Sequence, residues 1–288
     1  MRMFENDDRY AIGRLIREGK TKKIWQSPRP SRVIVENTDR LTAYNGREEI
    51  YIRKKGEYAA RISCVCFTYL RIHDVPNHFL GLDVAEGRRH RFLADKLHML
   101  PVEFVVRHQP YGSYLARYPR REYTKPFRKP VIECFEKDDD LGDPWLVVNR
   151  EKEIVRRYMP DRPRSKSSLI DERPFCELGY LMLDRWDEAV AVVKNAAQVL
   201  RKAWTQGNTT LVDIKFECGV TSRDEVVIGD TIDADCWRLW RGGDPDDPLD
   251  RQLFKNKCDP EEITSAYRFI LSETTRWLPL GGGGSTGN

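Results

Sequence analysis

The sequence predicts an α+β fold with two lobes. Strand-like segments fill the first third of the chain, whereas the rest mixes strands with two clear amphipathic helices. Strands that come first and are followed by mixed elements favour α+β over a doubly wound α/β sheet. A length of 288 residues suits one large or two moderate domains. We place an antiparallel-sheet N-terminal lobe at 1–103, a mixed α/β C-terminal lobe at 104–280 and a flexible Gly-rich tail at 281–288.

The N-terminal lobe is predicted to be built on an antiparallel sheet. Residues 14–26 have the pattern of a strand, a glycine-centred turn and a second strand, and residues 32–38 are rich in β-formers. Residues 51–55 add a further strand to this sheet. Residues 57–72 carry apolar side chains at helical spacing, and a pair of strands is predicted over 91–108.

The C-terminal lobe is predicted to contain two long helices. Residues 186–207 repeat Ala, Val and Leu at intervals of three and four and end in a glycine, and residues 260–278 begin with a proline. Residues 109–130 predict a loop with short elements, and 130–140 a strand that runs into an acidic turn. The charged segment 149–173 contains two prolines and is predicted to be an exposed insertion.

Composition excludes several classes of protein. Hydrophobic residues make up 40% of the chain and charged residues 33%, which is typical of a folded globular protein. No apolar run approaches the roughly 18 residues of a membrane helix, and no secretory signal is visible. Lys and Arg total 49 against 45 Asp and Glu, and the basic clusters have acidic neighbours. We therefore expect a cytoplasmic protein that binds neither nucleic acid nor membrane, and a homo-oligomer is compatible with it.

Cysteine and histidine narrow the chemistry further. The seven cysteines are odd in number and irregularly spaced, without a C-x-x-C motif, so reduced thiols are expected rather than disulfides or a zinc site. The last of five histidines is His108. This excludes a C-terminal histidine base of the α/β-hydrolase type. A site in the second half must use carboxylates, lysines, arginines or a metal.

A basic turn is the first candidate for ligand binding. It covers residues 18–23, EGKTKK, where glycine lets the backbone approach a ligand and lysines suit phosphate. In an alternating strand, Lys20 and Lys22 share a face. The alternative is a solvated hairpin turn, and the spacing does not fit a P-loop.

A predicted hairpin over 211–232 is the second candidate. Strand alternation places Asp213, Lys215 and Glu217 on one face. If the turn is centred between residues 223 and 224, Glu217 lies opposite Asp230. Like charges in that position destabilise a sheet unless compensated, and Mg²⁺ suits such carboxylate oxygens. The alternative is an ordinary hairpin whose carboxylates pair with Lys215 or a nearby arginine.

Arginines suggest a phosphate pocket. Arg107 ends a predicted strand and Ser113 follows in a turn, while Asp233, Asp235 and Arg238 come just after the proposed metal carboxylates. An arginine with a turn hydroxyl can bind phosphate, and the alternative is a surface loop held by a salt bridge. Together, phosphate-type cations and paired carboxylates predict a Mg–nucleotide enzyme with an anionic substrate.

Several long segments, in fixed order from about residue 16 to about 256, resemble the SAICAR synthetase (phosphoribosylaminoimidazole-succinocarboxamide synthase) family. These segments are EGKTKKIW (18–25), TDRLTAYNG (38–46), VPNHF (75–79), DKLHMLPVEFVVR (95–107), YGSYLARY (111–118), EKDDDLGDP (136–144), LVDIKFECG (211–219) and IGDTIDADCWRLW (228–240). The resemblance implies a two-lobed α+β fold with ATP in the cleft. It also implies an ATP- and Mg²⁺-dependent ligase of purine biosynthesis, joining L-aspartate to carboxyaminoimidazole ribonucleotide through an acyl phosphate.

The resemblance assigns roles to eleven residues and makes the acidic turn at 137–140 functional. The implied contacts are Lys20 and Lys22 to ATP phosphates; Lys96 and Met99 to adenine; Glu217 and Asp230 to Mg²⁺; Arg107, Ser113 and Arg238 to the ribonucleotide phosphate; and Asp213 and Lys215 to the reaction centre.

Departures from the family pattern lie beside these positions. They are Asn45 for Asp, Ala59 and Ala60 for an Asn pair, Thr231 for Glu, Asp233-Ala234-Asp235 for Ser-Pro-Asp, and 250–255 in place of Asp-Lys-Asp-Arg-Phe-Arg. Each removes a charge, an amide or a rigid turn. The hypothesis is that ATP use is kept, with two alternatives left open. One is a ligase of the same fold with another amino acid or acceptor, and the other is a nucleotide-binding paralogue without ligation.

Overall fold

The computed structural model describes six stretches of the chain. They are 8–43, 47–119, 125–151, 153–178, 180–250 and 252–279. The strands are β1 Leu15–Glu18, β2 Lys22–Gln26, β3 Arg32–Asn37, β4 Arg40–Ala43, β5 Glu48–Tyr51, β6 Phe79–Leu82, β7 Arg91–Asp95, β8 His98–Arg107, β9 Val131–Glu136, β10 Trp145–Asn149, β11 Ile154–Tyr158, β12 Leu169–Pro174, β13 Thr209–Val220, β14 Val226–Gly229 and β15 Trp237–Arg241. The helices are α1 Lys55–Ile72, α2 Ser113–Arg117, α3 Tyr180–Gln206, α4 Gln252–Lys255 and α5 Pro260–Thr275. The predicted tail and Asn45 lie outside the described residues.

Two antiparallel sheets carry most of the fold. A five-stranded sheet has the order β1-β2-β3-β7-β6, and an eight-stranded sheet has the path β12-β11-β10-β9-β8-β13-β14, with β15 also paired to β13. The sequence changes sheet between Asp95 and His98, so the predicted pair over 91–108 is two strands of different sheets rather than partners. β8 and β13 pair along most of their length at the centre of the larger sheet.

The segment 51–55 does not extend the main sheet as predicted. β5 pairs with β4 in a separate two-stranded sheet and ends at Tyr51. Lys54 then adopts a left-handed φ of 66°, and the Asp39 carboxylate accepts hydrogen bonds from the backbone N–H groups of Lys54 and Gly56. This turn starts α1 at Lys55, where the pattern alone suggested a strand.

The charged segment 149–173 contributes two strands to the larger sheet, and residues 161–167 between them are exposed as predicted. β11 and β12 form a hairpin in which Arg156 faces Glu172 and Arg157 faces Asp171. Arg157 Nε donates to Asp171 Oδ1 at 2.7 Å. Opposite charges across neighbouring strands stabilise a sheet. The charged side chains of this segment therefore form ion pairs between β11 and β12.

The helices pack on the sheets through one apolar core. α3 covers β13, β8 and β14, while α1 packs against α5 and the smaller sheet. Phe67, Phe104, Leu200, Phe216 and Ile270 are buried together in that core. The predicted helices are confirmed, although α3 begins at residue 180 rather than 186. Among the described helices, none is long and apolar enough to cross a membrane, and all seven cysteines are free thiols.

The start of α5 provides a stability test. The Asp259 carboxylate accepts hydrogen bonds from the N–H groups of Glu261 and Glu262, each at 2.9 Å, and Glu262 returns a bond to the Asp259 N–H. Because an N-cap side chain satisfies otherwise unpaired helix donors, Asp259→Ala should lower the free energy of unfolding by about 1 kcal/mol. Urea denaturation measures this loss. Asp259→Asn, which keeps an acceptor, should lose much less, and equal stability of the Ala variant and the unaltered protein would contradict the prediction.

Candidate active site

A cavity of about 760 Å³ is lined by residues of both main sheets. This volume is typical of a site for small ligands. All eleven residues singled out from the sequence line it, from Lys20 and Lys22 on the smaller sheet to Arg107 and Arg238 on the larger one. The sequence therefore identified residues that the fold brings together, and their individual roles stay predictions.

Lysines and carboxylates form a cluster on the cavity floor. Lys215 Nζ lies 2.7 Å from Glu103 Oε1 and 3.1 Å from Glu217 Oε1. Lys137 Nζ donates to Glu217 Oε2 at 2.5 Å. Both oxygens of Glu217 are thus occupied by ammonium groups, as in the alternative that paired its carboxylate with Lys215.

The hairpin register differs from the predicted one by a residue. Glu217 faces Gly229, not Asp230. The turn covers 221–225 and is centred on Arg223 rather than between residues 223 and 224, because Val220 pairs with Val226. Within it, the Thr221 Oγ1 accepts hydrogen bonds from the N–H groups of Arg223 and Glu225. A like-charge pair does form, but with a different partner and on the other side of β13. There Glu217 lies opposite Glu103 of β8, and Lys215 bridges the two.

Asp230 reaches the cavity from a bend just beyond β14. Its φ is 60°, and the ring Nε2 of buried His78 lies 2.9 Å from its carbonyl oxygen. Burial lowers the pKa of His78 to about 4, so the neutral ring donates from Nε2 to this carbonyl. The Asp230 carboxylate accepts from Lys22 Nζ at 2.5 Å, and Lys22 also donates to Thr231 Oγ1 at 3.0 Å.

The charges of this cluster stabilise one another. Burial by itself would lower the pKa of the Lys22 ammonium, but the negative charges of Asp230 and Glu217 outweigh it and the pKa is raised. The pKa of Lys215 is raised in the same way, against burial, by Glu217 and Glu103. Burial would raise the pKa of Asp230, but Lys22 and Lys215 hold it well below its usual range. The groups remain ionised without any metal.

The four residues that are predicted to bind ATP line the cavity from both main sheets. The Gly19 N–H donates to the Lys22 carbonyl at 2.8 Å, which closes the basic turn, and Lys20 Nζ lies 2.8 Å from Asp139 Oδ1 across the cavity mouth. The Lys96 N–H is fixed to the Ser31 carbonyl at 2.9 Å. Met99 is 43% exposed, so it offers the cavity an apolar, adaptable surface suited to an aromatic base.

The anion-side residues converge on Arg107. Its Nη1 donates to Asp213 Oδ2 at 2.6 Å and its Nη2 to Ser113 Oγ at 3.1 Å. Arg238 also donates to Asp213 Oδ2. One carboxylate therefore holds two guanidinium groups side by side at the cavity wall, an arrangement that suits a phosphate.

Gly112 makes room for the second arginine. Its φ is 55°, and a Cβ there would lie 2.7 Å from Arg238 Nη2. Arg238 also lies over the Tyr111 ring, with its Cζ 5.4 Å from the centroid. The Tyr-Gly dipeptide before Ser113 thus packs against the guanidinium as well as supplying a turn.

Comparison with known proteins agrees with this geometry. The SAICAR synthetase family model matches residues 15–270. The chain belongs to this family. It is 30% identical over 272 residues to phosphoribosylaminoimidazole-succinocarboxamide synthase of Chloroflexus aurantiacus, covering 92% of this chain and 98% of that protein. It is 31% identical over 260 residues to the synthase of Thermococcus sibiricus, covering 90% and 97%.

Solved SAICAR synthetases have the same fold. A type-2 SAICAR synthetase in complex with ADP superposes with a TM-score of 0.74 at 25% identity, covering 91% of this chain and 98% of that one. SAICAR synthetase from Pyrococcus horikoshii OT3 gives 0.67 at 26% identity, covering 91% and 97%. The family, the α+β fold and the class of ATP-dependent ligase of purine biosynthesis, all predicted from the sequence, are confirmed.

The SAICAR synthetase carboxylates fit a metal that is shared with a ligand. Among the residues that the structure describes, no three Asp, Glu, His or Cys side chains form a complete metal site. Magnesium bound with nucleotide phosphates needs only one or two protein carboxylates. Glu217 and Asp230 meet this need, since both line the cavity and their present partners are lysine side chains that can turn to phosphate.

Sequence reasoning missed several charged residues of the SAICAR synthetase site. Glu103 bridges to Lys215, and the fully buried Lys55 is paired with Asp235 at 2.6 Å. Their partners are more than a hundred residues away in the chain. The Glu103–Lys215 contact follows from the pairing of β8 with β13, and the Lys55–Asp235 contact from the position of α1. Neither pairing can be read from one sequence.

Proposed function

We propose that this chain joins L-aspartate to the carboxylate of carboxyaminoimidazole ribonucleotide, with ATP cleaved to ADP and phosphate. One observation carries the proposal: a single cavity joins a lysine–carboxylate cluster to a pocket with two arginines. The names of the relatives that match almost the whole chain support the substrates, and the ADP complex of a similar structure supports the nucleotide. The cytoplasmic location and the oligomeric state stay predictions.

ATP is assigned to the side of the cavity formed by the smaller sheet and by the start of β8. Lys20 and Lys22 would bind its phosphates, and Lys96 and Met99 would border adenine. Point charges of lysine suit phosphate oxygens. Lys137 adds a further ammonium from the acidic turn, and it lies on the Glu217 carboxylate. These cations would stabilise the charge of the transferring phosphoryl group, the main contribution of a protein to such reactions.

Mg²⁺ is assigned to Glu217 and Asp230. When bound, it supplies positive charge to the phosphate oxygens during transfer. The two carboxylates are now held by Lys137, Lys215 and Lys22. Those ammonium groups would turn from carboxylate to phosphate as ligands enter.

The ribonucleotide phosphate is assigned to Arg107, Ser113 and Arg238. Asp213 accepts from both guanidinium groups, so within the predicted reaction-centre pair it is best placed to hold these arginines. Lys215 lies between the carboxylates of Glu103 and Glu217, on the side of the cavity that is assigned to Mg²⁺ and ATP. The substrate carboxylate would then lie between the two sides of the cavity, within reach of the transferred phosphoryl group.

The reaction so assigned balances in two steps. A substrate carboxylate oxygen bonds to the γ-phosphorus of ATP as the bond to the β-phosphate oxygen breaks, giving an acyl phosphate and ADP. The aspartate amine then bonds to the acyl carbon, phosphate leaves, and the amine loses a proton. If both steps take place in the same enclosed cavity, the acyl phosphate is protected from hydrolysis.

Product analysis tests the proposal. The protein is incubated with ATP, Mg²⁺, carboxyaminoimidazole ribonucleotide and L-aspartate, and the product mass and ADP are measured. The expected result is a product carrying one aspartate, with ADP formed in equal amount and only when aspartate is present. Parallel reactions with other amines and other carboxylated ribonucleotides are the controls. A product with another amine or acceptor only, or ATP binding without any product, would overturn the proposal in favour of one of the two alternatives.

A further inference from the structure

A buried carboxylate lies behind the arginine pocket. Glu133 is 4% exposed and stands on β9, opposite Val105 of β8. Its Oε2 accepts from Arg107 Nε and from Arg117 Nη2, each at 2.5 Å. Its other oxygen, Oε1, is buried and has no hydrogen-bond partner among the residues that the structure describes. One carboxylate oxygen therefore binds two guanidinium groups and places its negative charge between them.

Arg107 is held on all three of its nitrogens. Nε donates to Glu133, Nη1 to Asp213 and Nη2 to Ser113. Only the last two partners line the cavity, whereas Glu133 does not. The planar guanidinium has a rigid fork of donors. Fixing its Nε edge from behind therefore decides which way the opposite edge points into the cavity.

Arg117 completes the support from outside the cavity. Its side chain is fully buried, and its Cζ lies 5.2 Å from the Phe135 ring centroid and 5.0 Å from that of Trp145. Its Nη1 donates to the carbonyl of Pro160, a residue that lines the cavity. Glu133 thus neutralises two cations: Arg107, which lines the cavity, and Arg117, which binds the loop of the β11–β12 hairpin.

We propose that Glu133 is a positioning residue for phosphate binding: it orients Arg107 and neutralises Arg117, without touching the substrate. The proposal rests on the proposed function, in which Arg107 binds the ribonucleotide phosphate. Without the negative charge, two buried guanidinium groups would face each other across an amide. Like charges in a low-dielectric interior repel strongly, so Arg107 would swing out of the phosphate position while the nucleotide side stayed intact.

Steady-state kinetics of Glu133→Gln test the inference. The KM for the ribonucleotide should rise by about tenfold to a hundredfold, by analogy with the loss seen when the side chains that orient metal ligands are removed. The KM for ATP should stay within about twofold, as should kcat, because the chemistry lies on the other side of the cavity. Glu172→Gln, which alters the exposed partner of Arg156 on β12, is the matched control and should change neither constant.

A second variant keeps the test decisive if Glu133→Gln folds poorly. Adding Arg117→Met removes the opposing cation, so the double variant should recover part of the ribonucleotide KM that Glu133→Gln lost. Additive effects on this KM would mean that Glu133 and Arg117 do not act on Arg107 through their ion pair. Glu133→Asp, which keeps the charge, should lie between the unaltered protein and Glu133→Gln.

Arg107→Ala separates the two levels of the argument. If its ribonucleotide KM is unchanged, the phosphate pocket of the proposed function is wrong. If Arg107→Ala raises this KM but Glu133→Gln does not, or if the double variant is additive, the positioning role alone is overturned.

Discussion

Glu217→Gln is expected to lower kcat by about a thousandfold, the scale of loss when a charge-stabilising group is removed from a reaction centre. The Glu217 carboxylate holds Lys215 through one oxygen and Lys137 through the other, and it is assigned to Mg²⁺. An amide has the same shape but no negative charge, so the two ammonium groups lose their partner and the metal loses a ligand. The measurement is the rate of ADP and product formation at saturating substrates.

Two comparisons make the Glu217 result specific. Glu225→Gln changes an exposed carboxylate of the same hairpin, paired with Arg223, and should leave kcat unchanged. Asp230→Asn should behave like Glu217→Gln, because it removes the other proposed metal ligand and the partner of Lys22. Calorimetric titration with ATP should show that Mg²⁺ strengthens binding to the unaltered protein more than to either variant. Near-normal turnover by Glu217→Gln would show that the metal assignment is wrong.

Asp235→Asn is expected to lower the free energy of unfolding by about 3 kcal/mol or more. Lys55 is 1% exposed, and its Nζ lies 2.6 Å from Asp235 Oδ2. The other oxygen of Asp235 accepts from the Tyr267 hydroxyl at 3.0 Å. An amide would leave the buried ammonium uncompensated, and the penalty of a buried charge without its partner exceeds the value of the pair itself. Urea denaturation of the ligand-free protein gives the loss.

A double-mutant cycle identifies the cause of that loss. Lys55→Met removes the buried charge, so Lys55→Met combined with Asp235→Asn should be more stable than the sum of the two single changes predicts. Asp187→Asn, which alters an exposed carboxylate paired with Arg150, is the control and should cost little. A loss below about 1 kcal/mol for Asp235→Asn would contradict an unpaired buried charge.

Local periodicity predicted the part of the site that lies on single strands. Asp213, Lys215 and Glu217 line the cavity together, as the alternation of β13 requires. The same reasoning failed at the next step, where Asp230 was placed opposite Glu217. Strand pairing across a turn depends on the turn, and this one is centred on Arg223 instead of between residues 223 and 224. Alternation is a property of one strand, whereas register belongs to two.

Contacts between distant segments could not be predicted from one sequence. Lys55 and Asp235 are 180 residues apart, and Arg107 and Glu133 are 26 apart. In each case a charged side chain in an apolar neighbourhood gave no sign of its partner. The strands of the charged hairpin near Arg157 were not predicted, for a related reason. Charge density predicts solvent exposure unless ion pairs form across strands, and such pairs depend on the tertiary arrangement.

The central place of β13 limits how this enzyme can change in length. The strand carries Asp213, which holds two arginines, and Glu217, the proposed metal ligand, and both face the cavity because they are an even number of residues apart. A single inserted residue between them would turn one group into the apolar core and leave the other in place. Insertions and deletions are therefore expected to preserve catalysis in the 221–225 turn, which does not line the cavity, but not within this strand, and that turn is the better site for an engineered tag or a fused domain.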